Sequence, residues 1–118
     1  LDQYLPLDDV RASLAQRFAR EGHDIVLHYN ASEAAAQKIK QDIEALGVAC
    51  VLVNHDMRDI QHIPAFLHQV KRLMPTCGVL INNASIFERA TFMETDEALF
   101  DRQMEINFKA PFFMTQHF

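Results

Sequence analysis

The chain has 118 residues, 49% hydrophobic and 23% charged, which supports one globular core and excludes a disordered polymer. A net charge of -5 without a basic cluster argues against a dedicated nucleic-acid binder, and no apolar run is long enough to span a bilayer. Cys50 and Cys77 lack paired metal spacing and read as reduced core thiols of a cytoplasmic protein with no visible signal peptide.

Helix and strand alternate along the sequence. Asp8 or Asp9 can cap a first helix whose apolar face is Val10, Leu14, Ala15, Phe18 and Ala19, and Gly22 ends it. Residues 25–27 form a short apolar strand running out through His28 and Tyr29. Ser32 caps a second helix carrying Ala35, Ala36, Ile39, Ile43 and Leu46 on one face, closed by Gly47. Residues 48–53 read as the next buried strand, emptying into Asn54, His55, Asp56 and Met57. Ile60, Ile63, Phe66, Leu67, Val70, Leu73 and Met74 then recur at helical spacing until Pro75 stops the helix. Residues 79–81 have no polar alternation and read as a strand covered on both faces. A last helix from about Thr95 carries Leu99, Phe100, Met104 and Phe108. Strands separated by helices imply right-handed crossovers and a parallel sheet, so the fold class is α/β.

Each strand end is polar or small: Tyr29-Asn30-Ala31-Ser32, Asp56-Met57 and Asn82-Asn83-Ala84-Ser85. Ligands of open α/β sheets bind beyond the carboxyl ends of strands, which gives these residues a use as a site. Asn82 and Asn83 equally suit a plain turn. Asn107 lies four residues before Pro111, whose missing N–H leaves the Asn107 carbonyl without its helical donor: a free acceptor, or a simple kink. The six histidines show no i, i+4 zincin pair and no metal is expected. Residues 94–101 are an acid-rich helix start, not a paired-carboxylate site.

Three motifs in order, Asp56, Asn82-Asn83-Ala84-Ser85 and Met104-Glu105-Ile106-Asn107-Phe108, make residues from about 11 to 118 resemble the amino-terminal half of a short-chain dehydrogenase/reductase. The resemblance implies a Rossmann-like doubly wound parallel sheet, incomplete, with 1–118 forming a partial dinucleotide-binding domain. Leu27-His28-Tyr29-Asn30-Ala31-Ser32 together with Asn83-Ala84-Ser85-Ile86-Phe87 resembles the pteridine reductase branch. That likeness implies that Ser85 and Phe87 line the substrate pocket, Phe87 stacking on a flat heterocycle opposite the nicotinamide; an ordinary loop anchor is the alternative for Phe87. By the same likeness Asp56 accepts from the adenine amino group, Met57 lies against the ring, and Asn83 and Ala84 run beside the ribose, with Ser85 next to them. Tyr29 and Asn30 stand where an NAD-specific carboxylate would be, so NADP(H) is preferred over NAD(H). Ser32 beside them is either a cofactor contact or only a helix cap, and Ala31 replaces the arginine expected for a phosphate. Asn107 would hold a water of the proton relay through its main-chain carbonyl. Full-length members are commonly homo-oligomers acting on small molecules.

The departures are large. The family's glycine-rich turn would fall between residues 9 and 11, but the only glycines are Gly22, Gly47 and Gly78. Asp8 and Asp9 stand where a diphosphate would sit; like charges about 4 Å apart repel by roughly 1 kcal/mol in water and about 4 at an effective dielectric of 20. The family's first strand lies centrally, and without it a gap of roughly 10 Å opens that residues 1–5 could fill only as an atypical strand. Neither Tyr4 nor Tyr29 is followed four positions later by lysine, the family's proton-delivering pair. Two readings result: a reductase moving hydride from NADPH to a carbonyl or pterin-type substrate, with an acyl-carrier-protein-type ketoreductase as runner-up, or a catalytically inactive remnant acting as an interaction module.

Overall fold

Two glycines punctuate the amino-terminal elements. Gly22 and Gly47 both adopt a φ of +90°, a conformation that side-chain-bearing residues rarely adopt, and each sits just past a helix. The computed structural model describes residues 7–118, with side chains from residue 10 onward. The possible strand over residues 1–5 lies outside the described residues. The chain divides into two compact units, Leu1–His55 and Asp56–Phe118.

In the first unit, α1 (Leu7–Arg20), β1 (Ile25–Tyr29), α2 (Glu33–Glu44) and β2 (Cys50–Asn54) follow in order. Positions 8 and 9 lie inside the first turn of α1, not at its cap. The two strands pair in parallel, Ile25 opposite Cys50 and Tyr29 opposite Asn54, with α2 as the crossover. Asp24 Oδ1 accepts from the Ala49 N–H at 2.9 Å, and the Ile25 N–H donates to the Ala49 carbonyl at 2.9 Å, so both strands enter the ladder together. Ala15, Ala19, Leu27, Ala36, Ile43 and Cys50 form the core of this unit. Ile43 is fully buried, worth about 1.5–3 kcal/mol for a side chain of that size. Cys50 is a core thiol as expected, and burial pushes its pKa up to about 11; Cys77 is only half-buried. Ser32 occupies the N-cap position of α2 but makes no side-chain cap hydrogen bond, because its backbone (φ -93°, ψ 64°) departs from the extended conformation that suits a capping hydroxyl.

The second unit holds α3 (Ile63–Leu73), α4 (Glu97–Met104), a five-residue π-helical turn (Glu105–Lys109) and α5 (Ala110–His117). Pro64 fits the first turn of α3, where a missing N–H costs nothing. The buried face of α3, Ile63, Phe66 and Val70, meets the periodicity of the sequence. It packs against α5, whose Ala110 and Met114 are buried. Asp96 caps α4, its carboxylate accepting from the Leu99 N–H at 2.8 Å.

The expected strand over residues 79–81 does not form. Among the described residues the sheet has two strands, and none supplies residues 79–81 with a ladder. Without a partner an apolar run cannot satisfy its backbone in a sheet, and Val79 and Ile81 stand 65% and 47% exposed. The face expected on the last helix also fails in part: Leu99 is buried, while Phe100, Met104 and Phe108 are exposed.

Candidate functional site

Asp56 opens the turn after β2. Its two carboxylate oxygens accept from Arg58 Nε at 3.2 Å and Nη2 at 3.0 Å, and Oδ1 also accepts from the Arg58 backbone N–H at 2.9 Å. This fork fixes the carboxylate, and the hydrogen bond to Asp56 raises the guanidinium pKa further. Met57, next in the turn, is half-buried.

The segment that failed as a strand is held by side chains instead. Asn82 Nδ2 donates to Thr115 Oγ1 at 3.1 Å. The Ile86 N–H donates to Asn107 Oδ1 at 2.8 Å, and Asn107 Nδ2 returns a bond to the Ile86 carbonyl at 2.7 Å. Glu88 accepts from Arg102 Nε and Nη2 at 3.2 and 3.1 Å, and its backbone carbonyl accepts from Gln103 Nε2 at 3.1 Å. The hydrogen bonds from Arg102 keep the Glu88 carboxyl below its ordinary range.

The partners descend from 115 to 103 as the segment climbs from 82 to 88, so the two run antiparallel. Between the paired positions the helix advances two residues for each residue of the segment.

Asn107 sits in the π-helical turn. The Ala110 N–H reaches back five residues to the Glu105 carbonyl, and Pro111 offers no N–H to the Asn107 carbonyl. The sequence expectation concerned that carbonyl. What the structure adds is the side-chain amide, whose donor and acceptor both go to Ile86. Asn83 is half-buried beside this clamp, Ala84 and Ser85 are exposed, and Phe87 is 77% exposed.

The remaining site candidates belong to the first unit. The Tyr29 carbonyl accepts from Asn54 Nδ2 at 3.2 Å and from the His55 N–H at 3.2 Å, and the Asn30 carbonyl accepts from Asn54 Nδ2 at 2.6 Å. These bonds fix the turn after β1. Ser32 is exposed there with its hydroxyl unused as a cap. His28 Nε2–H donates to the His55 carbonyl at 2.7 Å, tying the ends of both strands. Burial pushes the His28 pKa below its ordinary 6.5, outweighing the hydrogen bond to the His55 carbonyl that raises it, and the electrostatic influence of His55 and Arg11 lowers it further.

Sequence reasoning missed Arg58, Glu88, Arg102, Gln103 and Thr115 as partners of the site residues. Only Arg58 had a local signal, its place two residues after Asp56; the others pair across 14 to 33 residues. Among the described residues no group of three or more His, Cys, Asp or Glu side chains could hold a metal ion, and no helix is long and apolar enough to cross a membrane.

Residues 12–118 match the family model for short chain dehydrogenases. The chain belongs to the short chain dehydrogenase family. It is 25% identical over 107 residues to the short chain dehydrogenase/reductase AacuN of Aspergillus aculeatus, covering 91% of this chain and 40% of that protein. It is 27% identical over 100 residues to the 3-oxoacyl-(acyl-carrier-protein) reductase FabG of Staphylococcus aureus, covering 85% and 41%. Among solved structures, a blue fluorescent protein from a metagenomic library in complex with NADPH superposes with a TM-score of 0.80 at 27% identity, over 93% of this chain and 44% of that one. The fold shared with these short chain dehydrogenases is Rossmann-like α/β, present here as a partial parallel sheet with its helices. The chain spans about two fifths of the length of the curated relatives it matches.

Proposed function

We propose that this chain carries part of the cofactor and substrate machinery of an NADP(H)-dependent short-chain reductase, one that delivers hydride to a small carbonyl or pterin-type substrate. The observation that carries the reading is the double hydrogen bond between Asn107 and Ile86, which holds Asn83, Ala84, Ser85 and Phe87 on a fixed stretch of backbone. In this reading Asp56, Met57, Asn83, Ala84 and Ser85 hold the adenosine side of the cofactor, and Tyr29, Asn30 and Ser32 lie at its ribose phosphate. Ser85 and Phe87 face the substrate, and Asn107 serves the proton relay through its carbonyl. Preference for NADP(H) is supported by the absence of a carboxylate at Tyr29 and Asn30, and by the NADPH-bound relative. The full-length enzyme would be a cytoplasmic homo-oligomer.

The residues fit the cofactor unevenly. Asp56 is an ordered acceptor suited to an adenine amino group, but positions 8 and 9 place two acidic residues in the first turn of α1, where the family binds a diphosphate. No tyrosine–lysine pair of the required spacing occurs in these 118 residues, so the proton donor of the reaction would have to come from elsewhere. The chain as written should therefore bind a dinucleotide weakly and turn nothing over alone. A ketoreductase is the second reading, supported by the 27% identity to the acyl-carrier-protein reductase.

Titration of NADPH and NADH into the parent chain and into the double variant Asp8→Asn, Asp9→Asn, followed by cofactor fluorescence, tests this. Two repulsions of about 1 kcal/mol each predict that the variant binds NADPH more tightly by on the order of tenfold or more. Equal affinities in parent and variant, or NADH bound as tightly as NADPH, would sink the reading.

A further inference from the structure

The turn that carries Asp56 and Met57 is closed twice by backbone donors. The Asp59 N–H donates to the Asp56 carbonyl at 2.9 Å, and the Arg58 N–H donates to Asp56 Oδ1 at 2.9 Å. An aspartate that bonds its own backbone two residues on needs only the second of these to shape a turn. That bond leaves the carboxylate plane able to rotate about Cβ–Cγ, a torsion with broad minima. Arg58 removes the freedom. Its Nε donates to Oδ1 at 3.2 Å and its Nη2 to Oδ2 at 3.0 Å, so both oxygens are gripped and the guanidinium sets the plane. Turn chemistry does not require this fork. Global stability does not explain it either, since the Arg58 and Asp56 side chains are 52% and 39% accessible and an exposed ion pair contributes little. Its effect falls on the direction in which the carboxylate presents its lone pairs.

We propose that Arg58 is a positioning residue that sets the purine selectivity of this turn, aiming the Asp56 carboxylate so that it takes a 6-amino purine in preference to purines without that donor. The purine class rests on the cofactor reading proposed above; the aiming of the carboxylate does not. An ionised carboxylate only accepts hydrogen bonds, so it suits an exocyclic amino group and repels the lone pairs of a 6-oxo group. Hydrogen bonds weaken steeply with misalignment, so a carboxylate free to turn discriminates less. Lysine at position 58 would keep the positive charge, but as a point charge on a flexible stem it would set no plane.

Amide-shift NMR titrations of the full 118-residue chain with adenosine and with purine riboside, which lacks only the 6-amino group, test this. Neither nucleoside carries a diphosphate to meet the acidic residues at 8 and 9. Affinities are read from the Asp56 and Met57 amides in the parent, in Arg58→Lys and in Arg58→Gln, with the amides of α3 and α5 as a check on the fold. The parent should bind adenosine more tightly by about two- to tenfold, the worth of one net hydrogen bond near solvent. In both variants the adenosine affinity should fall to within about twofold of that for purine riboside, which itself keeps its parent value. Both affinities falling together would make Arg58 merely structural and overturn the positioning role. Full discrimination kept in Arg58→Lys overturns the fork in favour of bare charge, and full discrimination kept in Arg58→Gln overturns any role for Arg58. A parent that binds the two nucleosides equally, or whose Asp56 and Met57 amides neither one moves, removes the adenine reading of Asp56 and the proposal with it.

Discussion

Asn107→Ala removes both hydrogen bonds that hold Ile86. Each is worth about 0.5–1.5 kcal/mol net, and both groups stand near solvent, so the loss should total about 1–2 kcal/mol. That corresponds to a factor of roughly 5–30 in the closed-to-open ratio of the segment. Amide hydrogen exchange read by NMR should show the Ile86 N–H losing protection by this factor, while amides of β1 and β2 keep theirs. Asn107→Asp gives the sharper test. An ionised carboxylate still accepts from the Ile86 N–H but faces the Ile86 carbonyl with no proton to donate; protonation restores the donor. Folding therefore favours the neutral acid and raises its pKa above about 3.9. Protection at Ile86 in this variant should be low near neutral pH and recover on acidification. Unchanged protection in Asn107→Ala, or a pH-independent Asn107→Asp, would refute the clamp.

Other outcomes follow from the same geometry. Since the half-buried His28 has a folded pKa below its ordinary 6.5, the unfolded chain takes up the proton first. Its contribution is complete above about pH 6.5 and is lost as pH falls through the folded pKa. Urea midpoints should drop on acidification through that window, with a shallower slope in His28→Gln; an identical slope in the variant counts against this. The two helix caps should respond differently. Asp96→Ala, which loses the bond to the Leu99 N–H, should cost about 1 kcal/mol, whereas Ser32→Ala should stay within about 0.5 kcal/mol because no cap bond exists to lose. Urea denaturation of both compares them directly, and equal costs would contradict the cap geometry.

What the sequence revealed and what it hid divide along physical lines. The ends marked by Gly22 and Gly47, the pairing of β1 with β2 around α2 and the buried face of α3 follow from local periodicity and turn chemistry, and they were legible. Residues 79–81 misled because apolar continuity indicates that a segment can be a strand, not that a partner stands beside it. Ser32 misled because residue type names a cap, whereas backbone angles decide whether the hydroxyl reaches an N–H. The Met104 and Phe108 positions have helical spacing but lie exposed, since periodicity gives a face without saying what covers it. At the site, the proline rule pointed to Asn107 through its carbonyl. The contact made by its side chain lies 21 residues away, beyond any local pattern. The grip of Arg102 and Gln103 on Glu88 was hidden for the same reason.

In the proposed function Asp56, Met57, Asn83 and Ala84 form the adenosine side of a nicotinamide dinucleotide site. The most direct measurement is an NMR map of backbone amide shifts as NADPH is raised to millimolar concentration over the labelled chain. Shifts concentrated at Asp56, Met57, Asn83 and Ala84, weaker with an analogue lacking the adenine amino group, are the predicted result. Shifts that avoid those four amides, or that ignore the loss of the amino group, would contradict it.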